Sequence, residues 1–273
     1  MRPKPKHTAY REQLCRVLTT ALDRARPTAT WPWRDRNACL TLVSWTVHFY
    51  DEHRDIGLDL PGIEQLLAQP LPSECDRREI DAFGRRLSRL WRFVGDTLPV
   101  MGRVIAKPDL KRTMNEAARY QHDEGGIGTT IRDMLKAAIE DAWRRGERIL
   151  LIGHSLGSVI AYDALWELSH AKQGRQPPAS GHVDLFLTLG SPLASRFVRR
   201  RLAGRAYQGP KRYPTLVRRW ENFAARSDMT AFRPALRPYF REMVDLGLVA
   251  DIVGHAGIIR QHKTIGLAFI SPA

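Results

Sequence analysis

Gly153-His154-Ser155-Leu156-Gly157 carries the most chemical content in the chain. A serine hydroxyl is a weak nucleophile until a base takes its proton and donors stabilise the resulting oxyanion. The two glycines matter because a serine between a strand and a helix must sit in a tight, strained turn. Only residues without a bulky side chain let the two elements approach closely there. Such a turn lifts the Ser155 hydroxyl to a helix N-terminus, where the dipole and free N–H groups favour negative charge. The Leu156 N–H is the expected oxyanion donor, and His154 lines the turn.

A carboxylate and a histidine must complete the set, in the chain order serine, acid, histidine. Asp228 ends Trp220-Glu-Asn-Phe-Ala-Ala-Arg-Ser-Asp228. It is expected on a loop at a strand's carboxyl end, the edge where catalytic groups gather in open α/β sheets. Asp251 is the second choice for the acid, and Asp245 lies inside an apparent helix. For the base, His255 in Gly254-His255-Ala256-Gly257 occupies a small-residue loop. It is preferred to His262, which falls within a terminal helical pattern. His48, Asp51, Glu52 and His53 crowd together without metal-site spacing on one helical face, and read as a solvated loop. No metal or cofactor is expected. Gly125-Gly126-Ile127-Gly128 precedes a helix rather than following a strand, and reads as a hinge rather than a phosphate loop.

The elements that must position these groups are legible as patterns. Thr8 to Ala25 is amphipathic, with Leu14, Val17, Leu18, Ala21 and Leu22 on one face. Cys39 to Tyr50 is β-branched and aromatic and reads as a buried strand. Two or three helices are expected between Ile63 and Ile105, and another near Leu110 to Tyr120. The next helix is expected to start at Thr129 or Thr130, to present Ile131, Leu135, Ala138, Ile139 and Ala142, and to stop at Gly146. Arg148 to Ile152 is a continuous apolar run suited to a strand buried on both faces. Leu156 to Ser169 reads as a helix, Gly174 to Gly181 as a linker, Val183 to Leu189 and Leu216 to Ala224 as strands. A last helix is expected from about Gly257. Helices alternating with apolar strands predict a mostly parallel sheet covered on both faces.

On these residues the chain resembles bacterial α/β-hydrolases of the esterase and lipase kind. The matching stretches are Leu150-Leu-Ile-Gly-His-Ser-Leu-Gly-Ser-Val-Ile-Ala-Tyr-Asp-Ala-Leu165, Thr188-Leu-Gly-Ser-Pro-Leu193, Trp220 to Asp228, and Asp251 to Gly257. The resemblance implies a three-layer α/β-hydrolase fold in a single domain over residues 1–273, with a helical cap at 58–128. It also implies Ser155 as nucleophile, Asp228 as acid and His255 as base, with Ser191 and Pro192 bordering the pocket. Members of the family open with a strand ending in a His-Gly or Gly-Arg-Gly turn that completes the oxyanion hole. Met1-Arg-Pro-Lys-Pro-Lys is similar to the residues after that turn, so the resemblance implies either that the first strand lies upstream of an incorrectly chosen start or that one oxyanion donor and one sheet strand are missing. Loss of one such donor costs on the order of 100- to 1,000-fold in turnover.

Composition sets the remaining bounds. The 273 residues are 43% hydrophobic and include seven Trp, enough for a sizeable core. Three cysteines without a Cys-x-x-Cys spacing suit reduced thiols and a cytoplasmic location. No run is apolar for the length a membrane span needs, and no signal peptide is read at the N-terminus. Net charge is +14, and residues 185–220 hold nine Arg and Lys without one carboxylate. Two readings of the 196–219 segment stand: a face that attracts an anionic surface, or a solvated face of an Arg-rich chain. A nucleic-acid partner has no stacking aromatics or zinc spacing to support it.

The expected activity is cleavage of small-molecule or lipid carboxylic esters through an acyl-enzyme, or acyl transfer to an acceptor other than water. The alternative is a catalytically weak hydrolase-like module that binds a partner or an anionic surface.

Overall fold

The computed structural model describes residues 4–25, 40–68, 108–170, 181–225, 236, 239–240, 249–254 and 269–270. In chain order the elements are α1 (His7–Ala25), β1 (Thr41–Leu42), α2 (Leu60–Ala68), α3 (Pro108–Gln121) and α4 (Ile127–Arg144). There follow β2 (Leu150–His154), α5 (Leu156–Ser169), β3 (Leu185–Leu189) and α6 (Arg196–Arg199). The last are β4 (Trp220–Ala225), β5 (Val249–Gly254) and β6 (Phe269–Ile270).

Strands β2, β3, β4 and β5 form one four-stranded sheet in that order, and every pairing is parallel. Parallel neighbours cannot be joined by a tight turn, so each connection must cross the sheet; α5 makes the first crossing. All four strands therefore end at one edge, with His154, Leu189, Ala225 and Gly254 as their last residues. Leu150 pairs with Leu185, Phe186 with Trp220, and Trp220 with Val249.

Successive strand residues face opposite ways, and the two faces are filled by different helices. Leu151, Phe186 and Trp220 enter the large core with Ile131, Leu135 and Ile139 of α4 and Val159 and Ile160 of α5. Ile152 instead packs with Tyr10 and Leu14 of α1, joined by half-buried Leu150, Leu187 and Leu189. Buried polar groups on the sheet satisfy one another. The Trp220 indole donates to Thr188 Oγ1 at 3.0 Å, and Thr188 donates to Asn222 Oδ1 at 2.9 Å. The chain is thus mixed α/β with a parallel sheet covered on both faces. Among the described residues no helix is long and apolar enough to cross a membrane.

Several elements differ from expectation for identifiable reasons. Among the described residues of the stretch expected as one strand, only Thr41–Leu42 forms a strand, and Thr46–His48 is a 3₁₀ turn. Trp45 and Phe49 meet edge to face with ring centroids 5.6 Å apart. Residues four apart in a strand lie roughly 13 Å apart, so this contact needs a coiled backbone. Helix α4 starts at Ile127, ahead of Thr129 and Thr130, because Asp123 reaches from outside to accept from the Thr129 N–H at 2.8 Å. The strand before Ser155 is Leu150–His154, starting two residues later than expected, and β4 starts at Trp220 rather than Leu216. Val183 and Val217, expected in strands, meet only as an isolated bridge.

Of the 58–128 stretch, residues 69–107 lie outside the described residues, while Tyr120 is packed into the main core. The terminal helix expected from about Gly257 and most of the 174–181 linker also lie outside them. Strand β5 was not read from the sequence, nor was β6, which pairs antiparallel with β1.

Candidate active site

Ser155 stands between the last residue of β2 and the first residue of α5 with φ 51° and ψ −124°. That conformation is sterically costly for any residue with a Cβ. It is one of only two positive-φ non-glycine residues among those described. Serine at a helix start ordinarily turns its oxygen back onto the first-turn N–H groups, but Ser155 makes no such side-chain cap. Its hydroxyl is therefore left for another task, and the N–H groups of Leu156 and Gly157 lie in the turn that has no helical carbonyl behind it.

The backbone around this turn is tightly held. The Ser155 N–H donates to the Leu189 carbonyl at the end of β3 at 3.0 Å, and Gly190 N–H donates to Phe223 of β4 at 2.9 Å. A Cβ placed on Gly153 would stand 2.7 Å from Ser158 Cα and 3.0 Å from the Gly157 carbonyl oxygen. Gly153 is therefore required by the close approach of strand and helix. His154 is half-buried and pairs with Leu189.

A hydroxyl relay, not anticipated from the sequence, braces the turn from the helix side. Ser158 Oγ donates to the Ser155 carbonyl at 2.6 Å and lies 2.7 Å from Ser191 Oγ, which accepts from the Leu193 N–H at 3.2 Å. With the Ser158 proton committed to Ser155, Ser191 must be the donor to Ser158. Both serines are buried. Ser191 caps the 3₁₀ turn Pro192–Ala194 that follows β3. The two pocket residues expected at Ser191 and Pro192 thus stand next to the Ser155 turn, and Ser191 is part of its support. A small polar residue three after Ser155 was the available signal for Ser158.

Deeper along α5, Asp163 is buried and accepts from the Tyr120 hydroxyl at 2.9 Å and the Ala203 N–H at 2.8 Å. Burial pushes its carboxyl up to about 6, against the pull of those two donors and Arg132. On the outer side, Arg132 and Lys136 of α4 both bind Glu167 at 2.6 Å. These contacts clamp α3, α4 and the loop after α6 onto the helix whose N-terminus carries Ser155.

Asp228 and His255 lie outside the described residues. Their approach segments are described: β4 ends at Ala225, three positions before Asp228, and β5 ends at Gly254, immediately before His255. Both strands end at the same sheet edge as β2. Asp251, the second candidate acid, is inside β5 and pairs in register with Asn222. Among the described residues no group of His, Cys, Asp or Glu could hold a metal ion. His48 Nε2 lies 3.0 Å from Met134 Sδ. A cavity of about 430 Å³ opens between α1, β1 and α4, lined by His7, Ser44, His53 and Met134 but not by Ser155.

No protein-family model, curated protein or solved structure matches the chain.

Proposed function

We propose that the chain is a serine hydrolase of the α/β-hydrolase type that cleaves carboxylic esters with Ser155 as nucleophile. The observation that carries this reading is the Ser155 backbone at φ 51° and ψ −124°, strained yet with its hydroxyl uncommitted to the helix. Folding sustains strain of this kind where surrounding structure over-determines it and function uses it. Strand order adds support: the segments leading to Asp228 and His255 reach the same edge as Ser155, in the chain order a triad needs.

In this mechanism Ser155 Oγ attacks the ester carbonyl while His255 takes its proton, and Asp228 orients the imidazole. The Leu156 N–H stabilises the tetrahedral oxyanion. The imidazolium then protonates the departing alkoxide, leaving an acyl-serine. Water, deprotonated by the same imidazole, attacks that acyl group and regenerates Ser155. A bound alcohol or amine in place of water would make the same site an acyltransferase.

A fluorophosphonate probe tests the reading, because it phosphonylates only an activated serine. Labelling of the wild-type chain that is lost in Ser155→Ala and His255→Ala is the expected result. Absence of labelling in folded wild-type protein overturns it.

A further inference from the structure

Most described arginines in the first half of the chain are answered by a carboxylate. Arg16 meets Glu64, Arg54 meets Asp59, Arg119 meets Glu124 and Arg132 meets Glu167. The segment after β3 departs from this pattern. Among the described residues no carboxylate lies within ion-pair distance of Arg196, Arg200, Arg201 or Arg205, and all four are exposed. Further along the same basic run, Arg218 pairs with Asp184 at 3.6 Å and Arg219 pairs with Glu221.

The two ends of the run also lie at opposite edges of the sheet. Arg218 and Arg219 immediately precede β4, at its amino end. Helix α6 follows the Pro192–Ala194 turn at the carboxyl end of β3, whose last residue Leu189 bonds Ser155. Val198 and Leu202, four apart, are buried and anchor this turn to the core. Arg196, Phe197, Arg200 and Arg201 are therefore held outward on a fixed platform. Phe197 is 36% exposed, and the Arg201 guanidinium sits 4.1 Å over its ring.

We propose that Arg196, Phe197, Arg200 and Arg201 form a docking face for an anionic phospholipid bilayer, at the sheet edge that carries Ser155. Guanidinium groups without a carboxylate partner match phosphate and carboxylate headgroups; Arg201, held by the Phe197 carbonyl at 3.2 Å, keeps further N–H donors for them. An aromatic ring rimmed by cations suits the boundary between headgroups and acyl chains. A nucleic acid is the poorer match, since one face of Phe197 is already covered by Arg201 and among the described residues no second ring pairs with it to stack bases. Docking itself does not depend on catalysis. That the bilayer would then present its esters to Ser155 rests on the hydrolase reading.

The test uses the full chain carrying Ser155→Ala, sedimented with vesicles of phosphatidylcholine alone or mixed with phosphatidylglycerol. Binding is expected on the mixed vesicles and not on phosphatidylcholine alone. The triple variant Arg196→Gln, Arg200→Gln, Arg201→Gln should bind roughly 100-fold more weakly. The double variant Arg218→Gln, Arg219→Gln should stay within about twofold of the parent. Unchanged thermal unfolding of both variants establishes that each is folded. Equal weakening by the two variants, tighter binding to RNA than to anionic vesicles at the same salt, or no vesicle binding each overturn the proposal. Fluorophosphonate labelling in vesicle-free buffer reads the hydrolase separately: its absence refutes catalysis and leaves the vesicle result standing.

Discussion

Gly153→Ala is the sharpest perturbation the site allows. The added methyl would lie 2.7 Å from Ser158 Cα, 3.0 Å from the Ser158 nitrogen and 3.0 Å from the Gly157 carbonyl oxygen. Carbon atoms rest comfortably at about 3.5–4.0 Å, so the first turn of α5 must retreat by about 1 Å. All three obstacles are backbone atoms, and no side chain can rotate out of the way. Overpacking of this kind costs about 1–3 kcal/mol. Moving Ser158 also stretches its hydrogen bonds to Ser155 and Ser191, 2.6 and 2.7 Å long, which are worth about 1 kcal/mol each. A total loss of about 2–4 kcal/mol follows, read as a fall in the urea midpoint by Trp fluorescence. Under the proposed mechanism, a 1 Å displacement of the Ser155 hydroxyl should slow fluorophosphonate labelling on the order of 100-fold. Gly62→Ala in α2 is the control, because a Cβ there meets nothing within 4 Å; it should gain about 0.5–1 kcal/mol. Unchanged midpoint and labelling in Gly153→Ala would refute the close-approach argument. A lower midpoint with wild-type labelling would show that the strain is relieved away from Ser155.

Three more outcomes are expected. Ser155→Gly relieves the positive-φ strain, worth about 1–3 kcal/mol, and adds back about 0.5–1 kcal/mol of unfolded-state entropy. Unfolding experiments should find it as stable as wild type or more so while labelling vanishes; clear destabilisation would contradict the strain. Ser158→Ala leaves the buried Ser191 hydroxyl without its acceptor and should cost about 1–3 kcal/mol, with slower labelling; a neutral result would remove the relay. Asp163, with a folded value of about 6 above an unfolded one of about 3.9, contributes most below about pH 4. That contribution, on the order of 3 kcal/mol, is lost as pH rises to about 6. Asp163→Asn should abolish the step, so the wild-type minus variant stability should fall over that range; a flat difference would refute it.

What the sequence disclosed follows from how local each signal was. The Leu150–Ile152 run, the two glycines and the periodic helix after Ser155 sit side by side in the chain, and the structure joins them at one turn. The faces of α1 and α4 were readable because their apolar spacing is helical over four or five turns. Strand β5 was missed because Asp251 interrupts Val249-Ala-Asp-Ile-Val-Gly254. The backbone nevertheless pairs along all six residues with β4, a tertiary override of a weak local pattern. The 3₁₀ turn at Thr46–His48 was read as strand because Trp45 and Phe49 are β-formers by composition, yet their edge-to-face contact is a helical spacing. The Ser158–Ser191 relay spans 33 residues, and no local pattern could have linked its two ends.

The order of the four parallel strands has a consequence for biosynthesis. Each new strand adds beside the one the ribosome delivered before it, so the Ser155 turn can form against β3 while the rest is still being translated. His255 is made one hundred residues after Ser155, roughly 5–20 s later at ordinary elongation rates. Under the proposed mechanism the nascent chain carries a shaped but inert hydroxyl throughout that interval, and reactivity switches on only when the final edge of the sheet is added.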